Sequence, residues 1–168
     1  MRLMETDRDQ IVDHVFGDVD VTELGPPFIA ITRRWFDASS SDALPSRSLV
    51  DPGWVGRLIS SSLLMKVEGD DLRHRIVGQQ FISYNSGFDP TGKSVRELFA
   101  TRPVARVLYP EYMRVVSESV PGLISLRYQT VNDATRRSRI LLLPFTDQDP
   151  PDKSVAYLLG IFHFDDQV

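Results

Sequence analysis

Two alternating stretches meet at a glycine turn near residue 69. Leu63, Met65 and Val67 alternate with Leu64, Lys66 and Glu68, and after Glu68-Gly69-Asp70-Asp71 residues 72–77 read as a second strand. Period-two alternation marks a strand, and so short a turn brings the second strand back antiparallel. Three further strands are expected over 123–131, 137–145 and 155–164, joined through 132–135 and 146–153. A chain whose strands pair as hairpins lacks the strand–helix alternation of a parallel sheet. The fold class is α+β with an antiparallel sheet.

Helical segments fill the intervals. Gly25-Pro26-Pro27 punctuates the chain, and Phe28, Ile31 and Trp35, with Phe36 beside them, mark one apolar face while Arg33, Arg34 and Asp37 face away. Asp51 as N-cap and Pro52 at the first position open a second helix, with Trp54, Val55, Leu58 and Ile59 as its buried face. Residues 79–85 fit a connector turn that points Phe81 and Tyr84 inward. Ser94 and Glu97 have the spacing of a capping box. Pro103 opens a last helical segment, and Pro110 inside it predicts a kink or restart.

Residues 1–25 read as an acidic leader: seven acids (Glu5, Asp7, Asp9, Asp13, Asp18, Asp20 and Glu23) against Arg2 and Arg8 give −5 of the chain's net −4. Ile11, Val12, Val15 and Phe16 fall at helical spacing, so the leader is expected to form a short amphipathic helix. Residues 26–168 are expected to make one domain. Apolar positions in residues 1–38 would need cover, which makes Ile11, Val15, Phe28, Ile31 and Trp35 candidates for a homodimer interface.

Composition excludes several chemistries. There are no cysteines, so disulfides, thiol nucleophiles and Cys-ligated metals are out. No apolar run approaches the roughly 20 residues of a membrane span, and residues 1–9 lack the apolar core of a secretion signal. A cytoplasmic location is expected. Arg136, Arg137 and Arg139 form the densest basic cluster, which suits a solvated hairpin end better than a nucleic-acid face. His14, His74 and His163 are the only histidines, and their spacing supports no metal site.

One motif points elsewhere. Gly87, Gly92, Lys93 and Ser94 match the phosphate-binding pattern G-x-x-x-x-G-K-[ST], so a nucleotide hydrolase is an alternative. A phosphate loop needs a buried parallel strand before it and small residues beside the anion. Here residues 79–86 are short and polar, and Phe88 and Asp89 stand where phosphate would lie.

The order of elements, with particular residues, resembles the PAS sensory domains, and within them small bacterial proteins built around a single such module. The resemblance runs from about Phe28 to Phe164. It is carried by Leu44-Pro45-Ser46-Arg47 with Asp51-Pro52, by Leu72-Arg73-His74-Arg75-Ile76-Val77-Gly78, by Asp89-Pro90-Thr91-Gly92-Lys93-Ser94 with Glu97-Leu98, and by 139–145 followed by Leu158-Leu159-Gly160. The resemblance implies a five-stranded antiparallel sheet with helices packed on one face, here with an N-terminal helical extension, and a structural role for the Thr-Gly-Lys loop. It implies signalling without catalysis, through a protein partner, a small molecule or both, commonly as a homodimer. Phe81, Tyr84, Tyr109, Tyr112, Leu126 and Tyr128 are the candidates to line a pocket. A cysteinyl-flavin sensor needs a cysteine. A haem sensor wants an axial ligand in the helical region, and residues 79–120 contain no histidine. Neither cofactor is expected, and none other is implied. A scaffold with no ligand is the remaining reading.

Overall fold

The computed structural model describes residues 10–20, 24–85, 87–129 and 135–164. Its centre is a six-stranded antiparallel sheet in the order β1-β4-β5-β6-β2-β3. The strands are β1 (Gln10–Asp18), β2 (Ser62–Glu68), β3 (Asp71–Val77), β4 (Gly122–Gln129), β5 (Thr135–Phe145) and β6 (Tyr157–Phe164). The helices are α1 (Phe28–Ala38), α2 (Pro52–Val55), α3 (Gln79–Tyr84) and α4 (Pro103–Glu118), with short 3₁₀ turns at Arg47–Leu49, Gly56–Ser61 and Arg96–Leu98.

The predicted hairpin and meander are both present. β2 pairs with β3 from Leu63↔Val77 to Glu68↔Asp71, and β4, β5 and β6 follow as neighbours. β6 then lies against β2, from Ser62↔Ile161 to Lys66↔Tyr157, so the last strand joins the two halves.

The amphipathic helix expected in residues 1–25 is instead a strand over Gln10–Asp18, paired antiparallel to β4. The β-branched residues Ile11, Val12 and Val15 suit a strand as well as a helix, and the edge of β4 supplies the partner that decides it. Gly122 makes room: a Cβ there would stand 2.6 Å from the Phe16 ring, which Arg114 covers at 4.6 Å. The sheet therefore has six strands where five were expected.

Helices cover both faces. α3, α4 and the turn at Arg96–Leu98 pack on one face over Leu63, Met65, Leu72, Ile124, Ile140, Leu142 and Leu158. α1 and α2 pack on the other, over Leu64, Leu141, Leu143, Phe145, Leu159 and Ile161. Successive strand residues point to opposite faces, and β5 and β6, covered on both, are apolar nearly throughout. α1 buries Phe28, Ile31 and Trp35 as their spacing predicted, while Phe36 beside them is exposed, and the Trp35 indole N–H donates to the Pro144 carbonyl at 2.8 Å. Asp51 caps α2 as expected, accepting the Trp54 N–H at 2.8 Å. That helix lasts only one turn, because Gly56 adopts φ 66, and Ile59, predicted buried, is left exposed. α4 runs unbroken through Pro110. The bond lost there frees the Arg106 carbonyl, and both residues are on the exposed side, where an unmade backbone bond costs least.

Gly78, which ends β3, is fixed by close approach. A Cβ would stand 2.2 Å from the Ser60 carbonyl oxygen and 2.6 Å from that of Ile59. Backbone cannot yield as a side chain can. Gly78→Ala should cost about 3 kcal/mol or more in urea denaturation, whereas Gly17→Ala, which meets nothing within 4 Å, should cost under about 1 kcal/mol. Equal midpoints for the two variants would contradict the close contact.

Candidate functional site

The aromatic residues proposed for a pocket meet on the α3–α4 face. Tyr84 stacks on Phe164 at 3.5 Å, and Phe81 meets Phe162 at 4.9 Å with the rings tilted by 59°. Tyr112 and Leu126 are buried in the same cluster, among Ile140, Leu142 and Leu158. Burial raises the Tyr112 phenol above its ordinary value, so it stays protonated. Tyr109 lies at the rim, edge-on to Phe99 at 5.3 Å, with its hydroxyl donating to the Asp70 carbonyl. Arginines cover the outer side: Arg102 sits 3.8 Å from the Phe88 centroid, Arg106 5.6 Å from Phe99 and Arg96 5.8 Å from Tyr109. The side chain of Tyr128 lies outside the described residues. The sequence reading missed Phe162 and Phe164, although the alternation along β6 places them on one face. The rings pack against each other across this face.

The dimer-interface candidates are placed differently. Phe28, Ile31 and Trp35 are 0%, 1% and 4% exposed, covered by the chain's own sheet. The cover that a second copy was expected to provide is intramolecular. The side chains of Ile11 and Val15 lie outside the described residues.

The Gly87–Ser94 motif forms a turn whose donors are already used. Gly87 and Gly92 have φ 83 and 82, as such turns require. The Thr91 N–H goes to Asp89, Gly92 to the His74 carbonyl, Lys93 to the Pro90 carbonyl, Ser94 to Glu97 and Val95 to the Leu72 carbonyl. A phosphate cradle needs those groups free and convergent at the start of a helix, and the next element here is only the three-residue turn Arg96–Leu98. The segment is a lid on the edge of β3. Ser94 bridges Arg73, and the predicted capping box is formed, with the Glu97 N–H donating to Ser94 Oγ at 3.2 Å and the Ser94 N–H to Glu97 at 2.6 Å. That bond is the main reason the Glu97 carboxyl is held below its ordinary value.

His74 is tied into the same lid. Its Nδ1 lies 2.8 Å from the Lys93 carbonyl, which can only accept, so Nδ1 carries the proton. Burial pushes the imidazole below its ordinary value. Among the described residues no three His, Asp or Glu side chains form a metal-binding group.

Two surface clefts lie away from the aromatic cluster's centre. One, of about 330 Å³, is bounded by Pro27, Arg57, Ser61, Gln80 and His163, and it reaches Phe162 and Phe164 of the aromatic cluster. The other, of about 660 Å³, lies between the C-terminal ends of α1 and α4. Phe81, Tyr84, Tyr109, Tyr112 and Leu126 line neither.

The arrangement from β2 to β6 is an antiparallel α+β domain, with α3 and α4 inserted between hairpin and meander to cover one face. A family model described as PAS domain matches residues 25–162, and the chain belongs to that family. Comparison with curated proteins gives no match. PAS domains are in general sensory and regulatory modules, typically without catalysis of their own. No helix among the described residues is long and apolar enough to cross a membrane.

The lid generates two tests. Lys93→Ala should change stability by no more than about 0.5 kcal/mol, while Ser94→Ala, which strands the Glu97 N–H, should cost about 1 kcal/mol. Calorimetric titration with ATP and magnesium should give no binding heat; a heat abolished by Lys93→Ala would restore the phosphate-loop reading. For His74 the sign is fixed by the lowered value in the folded state. Below about pH 6.5 the unfolded imidazole takes up a proton that the buried ring resists, so stability falls with pH until the folded ring also protonates. His74→Asn keeps a donor near Nδ1 without that titration. Its urea midpoint should change less than the wild type's between about pH 7.5 and 5.5; equal changes would assign the dependence to other groups.

Proposed function

We propose that this chain is a non-catalytic regulatory PAS module whose output passes through contacts with another protein. One observation carries the reading. The space between the sheet and α3–α4, where an enclosed ligand would lie, is occupied by Phe81, Tyr84, Tyr112, Phe162 and Phe164 packed against one another. A module filled in this way has its surface to act with. The engaged donors of the Gly87–Ser94 turn argue against the hydrolase reading, and a bare scaffold would leave the family's regulatory character without an output.

Native mass spectrometry of freshly purified protein, followed by a denaturing run, tests the proposal. The expected result is a native mass equal to a whole number of chains. A stoichiometric small molecule that leaves on denaturation would overturn it in favour of a ligand sensor. The same spectrum counts chains per assembly, and thereby tests the homodimer directly.

A further inference from the structure

The 660 Å³ groove combines features that local rules disfavour. Phe36 and Val120 line it and are 41% and 42% exposed, and Trp35 meets the Phe36 ring edge-on at 5.1 Å. Large apolar side chains left open on facing walls need cover.

The lining of the groove is weakly acidic, with two carboxylates against one ammonium. Asp18 and Glu118 line it, and Lys153 is the cation among its lining residues. α1 and α4 both end there, and neither has a basic residue in its last turn. A helix C-terminus carries about half a negative charge, which a basic side chain ordinarily offsets. α4 instead places Glu118 at its end, against its own dipole. Arg114, one turn earlier, pairs with Glu118 at 3.2 Å, but both are solvent-exposed, where such pairs hold weakly. Ser119 then adopts the left-handed region, φ 56 and ψ 34, which disfavours most residues other than glycine. Its hydroxyl donates to the Lys153 carbonyl at 2.8 Å and fixes that wall. Conflicts gathered in one place are expected at functional sites.

The geometry points to a docking groove for a protein segment that presents an apolar side chain beside a lysine or arginine. The apolar group would cover Phe36 and Val120. The cation would lie toward Glu118, Asp18 and the carbonyl ends of α1 and α4. This inference rests on the protein-contact reading above and assigns it a surface.

The full chain with Trp54→Phe keeps Trp35 as its single tryptophan, a reporter in the groove wall. It is titrated with an amphipathic peptide of leucines and lysines, and with the same peptide carrying glutamate for lysine. The expected result is a saturable change in Trp35 emission with the lysine peptide alone. Binding should weaken about tenfold or more, roughly the effect of one lost contact of this kind, in Phe36→Ser and in the double variant Asp18→Asn, Glu118→Gln, each checked for native circular dichroism. Equal binding of both peptides, or indifference to these substitutions, overturns the inference. A photoreactive residue at position 36, with another at exposed Ile76, separates this failure from a wider one. Adducts at 76 without adducts at 36 would place the contacts elsewhere and leave the module reading standing. Adducts at neither would count against both.

Discussion

The structure depends on the pairing of β6 between β5 and β2. Without β6 the β2–β3 hairpin has no sheet to join, and the β4–β5 pair ends in an open edge. Leu158, Leu159 and Ile161 are almost wholly buried, and they serve both layers: Leu158 belongs to the α3–α4 cluster, Leu159 and Ile161 to the α1–α2 cluster. The contact joins the first strand within the PAS region to its last. Closing so long a loop costs entropy, though the cost grows only with the logarithm of its length. What offsets it is apolar area on both faces of one strand at about 25 cal/mol per Å².

Once β6 is in place, each outer strand needs an answer for its unpaired edge. At β3 the answer is the Gly92–Val95 segment, which bonds to Leu72 and His74 and uses the backbone groups that a phosphate would need. Edge protection and anion binding compete for the same donors, and in this chain the edge takes them. At β4 the answer is β1, seated by Phe16 over Gly122.

Much of this was legible because the decisive physics is local. The β2–β3 turn, the Asp51 and Ser94–Glu97 caps and the buried stripe of α1 each rest on residues a few positions apart. The misses share the opposite character. Ile11, Val12, Val15 and Phe16 fall at helical spacing and do not alternate; the strand accommodates them with a register shift between Ile11 and Asp13, and only the distant β4 edge selects it. Pro110 survives inside α4 because its freed carbonyl faces solvent, a fact of placement that no sequence window carries. The cover on Phe28, Ile31 and Trp35 comes from β5 and β6, more than a hundred positions onward, so residues that looked available to a partner were already spent. For the site, local spacing turned Phe81 and Tyr84 inward, but whether the aromatic set lines a space or fills one depends on Phe162 and Phe164 arriving from the last strand.

The two layers also explain why the groove lies where it does. α1 belongs to one hydrophobic cluster and α4 to the other, with the sheet between them for most of their length. Their C-terminal ends reach the same margin of the sheet, near Asp18 at the end of β1 and Pro121 at the start of β4. There the layers meet without a strand to separate them. Trp35 ties that margin to β5 through the Pro144 carbonyl, and Ser119 ties it to the loop before β6 through Lys153. Anything that displaced either residue would have to break a hydrogen bond to the central strands or their connection. The margin is thus mechanically joined to both cores, whereas the opposite rim, stapled by Arg96, Arg102 and Arg106 over Tyr109, Phe88 and Phe99, is closed by its own side chains. In a domain whose interior is packed with aromatic rings, that difference leaves one end of the fold open at its surface and the other closed by its own side chains.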